Sequence, residues 1–306
     1  MVRTNVEHGA FDLAGETTLD ALVFDGNTMN AGAVADLRNV RDAAQAARFV
    51  LERTSHTLLA GDQATRFAYE MGLKKATLES NKSQAMWSAW EAADCQPNYR
   101  ENVLPDPTQS CGPYKPAPAA ADDGVSLSAV AAARSSRERG VGPGSHDTIA
   151  MVTIDGKGGV AAGTSTNGAD HKVPGRVGDA PVPGAGAYAD AEVGGCGATG
   201  DGDQMMRLLP THLGVELMRQ GASPGDAAKA GVERVAKFYP DFWGAIVCVN
   251  VRGEHGGAAN YNTAFKYTVV SEATGGVPVT VNVTSTAKLV SPRSEAQASP
   301  RRARNA

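Results

Sequence analysis

Residues 144–168 read GSHDTIAMVTIDGKGGVAAGTSTNG, and their pattern decides the fold. Two apolar, β-branched runs, Thr148–Ile154 and Val160–Thr166, flank the turn Asp155–Gly159. That is the pattern of a β-hairpin. Upstream the composition changes. Residues 117–145 are low-complexity Ala, Ser, Arg and Gly, which predicts a mobile segment and a boundary. The strand therefore starts at an abrupt junction, Gly144-Ser145-His146-Asp147-Thr148. A cut before Thr148 would leave that residue with a hydroxyl and a free α-amine. Such an amine, with a pKa of about 7.7–8.0, can serve as base for its own hydroxyl, which an internal Thr cannot do.

Working outward, Thr18–Phe24 (TLDALVF) reads as a strand ended by Asp25-Gly26-Asn27. Residues 31–53 carry Val34, Leu37, Val40, Ala44, Ala47 and Leu51 at helical spacing and predict one helix. Further helices are predicted over Gln63–Met71, capped by Asp62, and over Ser83–Ala93. Downstream, Asn167–Gly202 reads as a long Gly/Pro-rich loop. Helices follow at Asp203–Leu209, His212–Arg219 and Pro224–Phe238, the last capped by Ser223. Strands are predicted at Ala245–Val251, 264–270 and 279–283, and a disordered basic tail at about 291–306. Hairpins around a helical block, without regular βαβ alternation, indicate an α+β protein with mainly antiparallel sheets.

The 306 residues are ample for a core, and their 35 glycines are the unusual count. A net charge of −4 gives no basic field for nucleic acid. No apolar run approaches the roughly 18 residues of a membrane span. The start, MVRTNVEHGAFDLAGE, has no apolar stretch of a secretory signal. Four cysteines are too few for a disulfide framework in a chain of this length. Cys95 and Cys111 flank a Pro-rich loop, and their spacing fits a bridge or two free thiols equally. Cys196 and Cys248 have no evident partners.

Other motifs are weaker. Gly195-Cys196-Gly197-Ala198-Thr199-Gly200 matches G-x-G-x-x-G, but lacks the preceding strand and later acid of a dinucleotide loop. A Gly-rich loop opening a helix can instead offer backbone N–H groups to developing negative charge. Asp190, Glu192, Asp201 and Asp203 lack calcium-loop spacing, and Asp203 fits a helix cap better than a ligand. The six histidines show no zinc spacing, so no metal is expected. Asn81-Lys82-Ser83 and Asn282-Val283-Thr284 are glycosylation sequons.

The run HDTIAMVTIDGKGGVAAGTSTNG, followed by GRVGDAPVPGAGAYAD and GATGDGD, resembles the glycosylasparaginase (aspartylglucosaminidase) family of lysosomal N-terminal-nucleophile amidohydrolases. Co-linear likeness extends to GETTLDALVFDGNTMNAGAVADLR, HTLLAGDQATRFA, CQPNYRENVLPDP and FYPDFWGAIVCVNVRG. The resemblance implies a four-layer αββα sandwich made as one inactive precursor. That precursor would cut itself between Asp147 and Thr148, with His146 and Asp147 straining or polarising the peptide. An α chain of 1–147, carrying a mobile linker at 117–146, and a β chain of 148–306 would result. Thr148 would be the nucleophile, with Thr166 orienting it and Thr199 and Gly200 forming the oxyanion hole. Arg176 would clamp the substrate α-carboxylate and Asp179 its α-ammonium, within a binding set that includes Val177, Gly178, Asp201 and Gly202. The family implies a small glycoasparagine substrate, no cofactor, no metal, no nucleic-acid or membrane partner, a dimer of αβ units and a Cys95–Cys111 bridge.

The likeness also has gaps. The region before GETTLDA is short, so the family's first strand, substrate-contacting Trp and Gly-rich loop have no counterpart here. Ala150 replaces a Gly near the scissile bond, and Asp201 stands where the family carries Asn. No Cys near Ala228 pairs with Cys248. Sequence therefore leaves three readings: a glycosylasparaginase, a β-aspartyl peptidase or asparaginase with the same chemistry, and an inactive truncated homologue.

Overall fold

The computed structural model describes residues 11–118, 147–260, 265–283 and 285. His146, most of the linker 117–146 and the tail at 291–306 lie outside them. The chain begins with β1 (Leu19–Asp25), β2 (Asn30–Leu37), α1 (Ala43–Arg53), β3 (Leu58–Ala60), α2 (Gly61–Glu70) and α3 (Asn81–Ala92). The short strands β4 (Val103–Leu104) and β5 (Lys115–Pro116) pair within the Pro-rich segment. After the junction come β6 (Ile149–Ile154), β7 (Val160–Thr166), β8 (Ala187–Asp190) and β9 (Gly194–Gly200). The helices α4 (Gly202–Met205), α5 (Pro210–Arg219) and α6 (Pro224–Phe238) follow. The strands β10 (Gly244–Asn250), β11 (His255–Asn260), β12 (Phe265–Val269) and β13 (Val279–Val283) close the described chain.

One sheet has the order β3-β2-β1-β7-β6, and a second has β11-β10-β9-β8. The expected hairpin is present as β6 and β7, with Ile149 opposite Ser165 and Ile154 opposite Val160. In the first sheet β1 pairs with β2 on one side and β7 on the other, so segments from both sides of the junction share one ladder. Pairing is antiparallel except between β2 and β3. Alternation along β1 sorts its side chains. Leu19 and Ala21 pack with Val50 and the Ala-rich face of α1, whereas Leu22 and Phe24 meet Val160, Ala187 and Ala189 between the sheets. The second sheet turns Cys196, Ala198, Ile246 and Cys248 toward Val215 of α5 and Val232 and Val235 of α6. β6 lies at the outer position of its sheet, with Ile149 38% and Met151 49% exposed.

Several sequence expectations are corrected. The helix predicted over 31–53 is a strand followed by a helix. The run Gly32–Leu37 is buried on both faces as the partner of β1, and left-handed Asp36 (φ 50°) and Asn39 (φ 55°) break the path before α1. A run buried on both sides carries no period that separates strand from helix. The predicted loop Asn167–Gly202 contains β8 and β9. In β9, GGCGATG, glycine hides the alternation, because side chains of β6 occupy the space. A Cβ on Gly195 would lie 2.8 Å from Val152 Cγ1, and one on Gly197 2.9 Å from Ala150 Cβ. Thus G-x-G-x-x-G is a strand here, and the methyl that Ala150 adds is received by Gly197. Asp62 does not cap α2, which starts after Ala60; its carboxylate instead accepts from Arg38 Nη1 at 3.1 Å. Ser223 does cap α6, accepting from the Asp226 N–H at 3.2 Å.

All four cysteines are bonded, as Cys95–Cys111 and Cys196–Cys248. The first bridge matches expectation. The second corrects it: Cys196 and Cys248 face each other in the β9–β10 register, which could not be read while β9 was taken for a loop. Among the described residues no helix is long and apolar enough to cross a membrane.

The Ala150–Gly197 contact is testable. Gly197→Ala should cost about 1–3 kcal/mol through overpacking, and adding Ala150→Gly should restore most of it. Urea unfolding of the two single variants and the double variant measures the coupling, and purely additive effects would refute the contact.

Candidate active site

Thr148 immediately precedes β6 and Thr166 ends β7. Because Ile149 is opposite Ser165, the hairpin register sets the two threonines side by side. Their hydroxyls are 2.9 Å apart. Thr166 Oγ1 also accepts from the Gly168 N–H at 2.9 Å, which leaves its proton and a lone pair for Thr148. One residue back, Asp147 Oδ1 accepts from the Asn167 N–H at 3.0 Å. Three consecutive residues, Thr166 to Gly168, therefore hold both sides of the Asp147–Thr148 bond.

That segment is anchored from below. The Lys172 side chain is buried and its Nζ donates to the Asn167 carbonyl at 2.5 Å. The N-terminal segment grips the same loop, through the His171 N–H to the Phe11 carbonyl at 2.7 Å and the Leu13 N–H to the Lys172 carbonyl at 3.0 Å. His171 stacks on Trp90 of α3, with centroids 4.8 Å apart and planes 8° from parallel, and meets the edge of Phe11. This burial pushes the imidazolium down to about 4, so the ring is a neutral packing element near pH 7. Asp170 moves the other way, up to about 7, through burial and the neighbouring Asp147 carboxylate.

Arg176 follows in the same loop. Asp203 of α4 accepts from its Nη2 at 2.9 Å and approaches its Nε at 3.3 Å. Burial opposes charge on the guanidinium, but Asp203 outweighs it and holds the pKa above the ordinary range. Asp179 is 4% exposed, and burial raises it to about 7 against the attraction of Arg176. The end of β9 closes the site. A Cβ on Gly200 would sit 2.4 Å from the Trp243 carbonyl oxygen, and one on Gly202 2.6 Å from Asp179 Oδ1, so glycine is required at both. Thr148, Thr166, Gly168, Ala169, Arg176, Gly178, Asp179, Gly200, Asp201 and Gly202 line one small cavity.

The asparaginase family matches residues 2–278. The chain belongs to that family. Over 252 residues it is 50% identical to the N(4)-(beta-N-acetylglucosaminyl)-L-asparaginase of Rattus norvegicus, covering 82% of this chain and 70% of the rat protein. A Drosophila persimilis protein provisionally given the same name is 50% identical over 270 residues, covering 88% of this chain and 68% of its own length. An Arabidopsis thaliana protein provisionally named isoaspartyl peptidase/L-asparaginase 3 is 51% identical over 265 residues, covering 85% and 73%. Against other Drosophila relatives the asparaginase-family chain spans 66% of their length.

Of the residues singled out by sequence, the cavity gathers Thr148, Thr166, Arg176, Gly178, Asp179, Gly200, Asp201 and Gly202. Val177 and Thr199 are adjacent in sequence but do not line it, and His146 is outside the described residues. Asp203 is not a cap, since α4 starts after Asp201, and its carboxylate serves Arg176 instead. Asp190 and Glu192, grouped with it by sequence, pair with Arg219 of α5. Among the described residues no group of three or more His, Cys, Asp or Glu is placed to hold a metal ion. Asn167, Lys172 and His171 escaped the sequence reading. Asn167 acts through its backbone N–H and carbonyl, Lys172 through backbone carbonyls, and His171 through the rings of Phe11 and Trp90, none of which leaves a local signal.

The His171 stack predicts a pH dependence. Between pH 6.5 and about 4 the unfolded chain protonates this histidine and the folded one does not, so stability falls as pH drops through that window. His171→Phe should reduce that acid-side loss relative to wild type. An NMR titration should give a His171 midpoint near 4, and a midpoint at the ordinary value would contradict the burial.

Proposed function

We propose that this asparaginase-family chain hydrolyses the amide between N-acetylglucosamine and the side chain of a free asparagine, giving aspartate and a glycosylamine. The observation that carries this reading is the Thr148–Thr166 hydroxyl pair at 2.9 Å, opening on the same cavity as Arg176 and Asp179. The names of the rat and Drosophila relatives support the sugar-linked substrate.

The chain first matures by cutting itself. Thr148 Oγ attacks the Asp147 carbonyl carbon, the Asp147–Thr148 C–N bond breaks, and the acyl group passes to oxygen. Breaking that bond frees the α-amine of Thr148, and water then opens the ester, returning the Thr148 hydroxyl and leaving a new carboxylate on Asp147. His146 assists in this proposal, and the Asn167 N–H on Asp147 supports a fixed geometry. In the mature site the α-amine accepts the Thr148 hydroxyl proton as Oγ attacks the substrate amide carbonyl. Thr166 orients that oxygen. Gly200, which lines the cavity, stabilises the oxyanion, a contribution of about 100–1,000-fold in rate for one such donor. The protonated amine gives its proton to the leaving glycosylamine nitrogen, and water hydrolyses the aspartyl ester. Arg176 holds the α-carboxylate, a task suited to a planar fork. Asp179 holds the α-ammonium, with Gly178, Asp201 and Gly202 shaping the pocket.

The architecture in this reading is a four-layer αββα sandwich: α1, the five-stranded sheet, the four-stranded sheet, then α5 and α6. We also propose a dimer of αβ units and a lysosomal setting, the latter supported by two disulfides, which persist in oxidising compartments. A second reading keeps the chemistry and changes the leaving group. Arg176 and Asp179 address only the aspartyl part, and the Arabidopsis relative is named for isoaspartyl peptides. Turnover of GlcNAc-asparagine, free asparagine and a β-aspartyl dipeptide by one preparation ranks the two.

Reducing denaturing electrophoresis should show fragments of 147 and 159 residues from the 306-residue chain, and one intact band from Thr148→Ala. A wild-type chain that stays whole on incubation would sink the proposal. The Asp179 pKa sets a second test. Below about pH 7 the empty site holds this carboxyl neutral, so inhibition by aspartate should weaken with acid by up to about tenfold per pH unit relative to succinate, which lacks the ammonium. A constant aspartate-to-succinate ratio from pH 5 to 8 would remove Asp179 from that role.

A further inference from the structure

We propose that Asp203 is the positioning residue that turns the Arg176 guanidinium end-on into the cavity, so that a substrate α-carboxylate meets it in a two-point grip. The inference rests on Arg176 being the carboxylate-binding group. A guanidinium offers five N–H bonds along two usable edges, the Nε–Nη2 side and the Nη1–Nη2 end. Asp203 occupies the side: Oδ2 lies 2.9 Å from Nη2 and 3.3 Å from Nε, and Oδ1 3.4 Å from Nε. The end edge presents one Nη1 proton and the second Nη2 proton, and among the described residues no hydrogen bond takes either.

That end edge is walled by residues without side chains. A Cβ on Gly168 would lie 3.1 Å from Nη1, one on Gly178 2.8 Å from Nη1, and one on Gly202 3.1 Å from Nη2. The same three glycines line the cavity that holds Thr148 and Thr166. Glycine at these three positions therefore keeps side-chain atoms off the guanidinium, which the close approach of a planar carboxylate to the end edge requires.

Asp203 also prevents a competing arrangement. Arg176 is the charge that most strongly opposes the upward shift of Asp179, and Asp20 acts on both groups. Without Asp203 the guanidinium would be drawn toward Asp179. The clamp's cation and its ammonium-binding anion would then neutralise each other, and both ends of the substrate would lose their partners. Asp203 holds them apart by supplying a third charge from α4, across 27 residues of sequence.

The test separates this role from a general structural one. Substrates are the glycoasparagine and its α-carboxamide, which lacks the carboxylate. Asp203→Asn should raise KM for the first about tenfold or more, with kcat changed less than about threefold and KM for the carboxamide unmoved. Self-cleavage at Thr148 should persist. Asp203→Glu, which keeps the charge but lengthens the arm, should give an intermediate KM. It also supplies the measurement if Asp203→Asn does not mature: a wild-type KM in Asp203→Glu would then overturn the proposal. An unchanged KM in Asp203→Asn, or an equal rise for both substrates, would overturn it as well. Arg176→Gln checks the underlying reading independently. If it leaves the carboxylate preference intact, the clamp assignment itself is wrong; if it abolishes the preference while Asp203→Asn does not, only the positioning role fails.

Discussion

Gly195 and Gly197 of β9 lie beneath Val152 and Ala150 of β6, at distances where any Cβ would collide. The site depends on this contact. It lets the two sheets approach at the point where β6 begins and β9 ends, so that Thr148 and Gly200 face one small cavity. A β-sandwich with ordinary side chains on both inner faces keeps about 10 Å between its sheets. Here the glycine strand narrows that gap locally, and the space goes to the active site rather than to packing. Part of the glycine excess of the chain thus lies around the proposed active site.

Burial then determines the electrostatics. Close to the cavity, Asp170 and Asp179 are pushed toward their neutral forms and His171 is held neutral, all chiefly by loss of solvent. Arg176 keeps its charge because Asp203 is in contact with it. In such surroundings each retained charge acts over a longer range than at the surface. In the proposed function, an aspartyl ligand carrying both signs would meet the Arg176 cation, and its own ammonium would draw Asp179 back toward the charged form.

How much of this was legible depended on where the information lay. Local patterns located the β6–β7 hairpin, β1, and α6 with its Ser223 cap. They failed where burial was two-sided or side chains were absent. β2 was taken for helix because its run is buried on both faces, and β9 for loop because glycine has no side to show. The cross-strand Cys196–Cys248 bridge was lost with β9. Thr148 drew notice from its junction, but Thr166, Arg176 and Asp179 were legible only through resemblance, since no spacing rule joins residues brought together by tertiary folding. The anchoring residues Asn167, Lys172 and Asp203 act through backbone atoms or partners far along the chain, and neither leaves a periodic trace.

Both disulfides lie on one side or the other of the Asp147–Thr148 bond, and no cysteine remains to cross it. If that bond is cut as proposed, the two pieces are joined only by non-covalent interactions such as the β1–β7 ladder. The middle of the five-stranded sheet is then an interface between separate molecules. Unfolding would release fragments that must find each other again at their own concentration, and the piece carrying β1 would have lost the neighbour that completes its core. The mature protein would persist because it opens slowly, not because it could readily re-form.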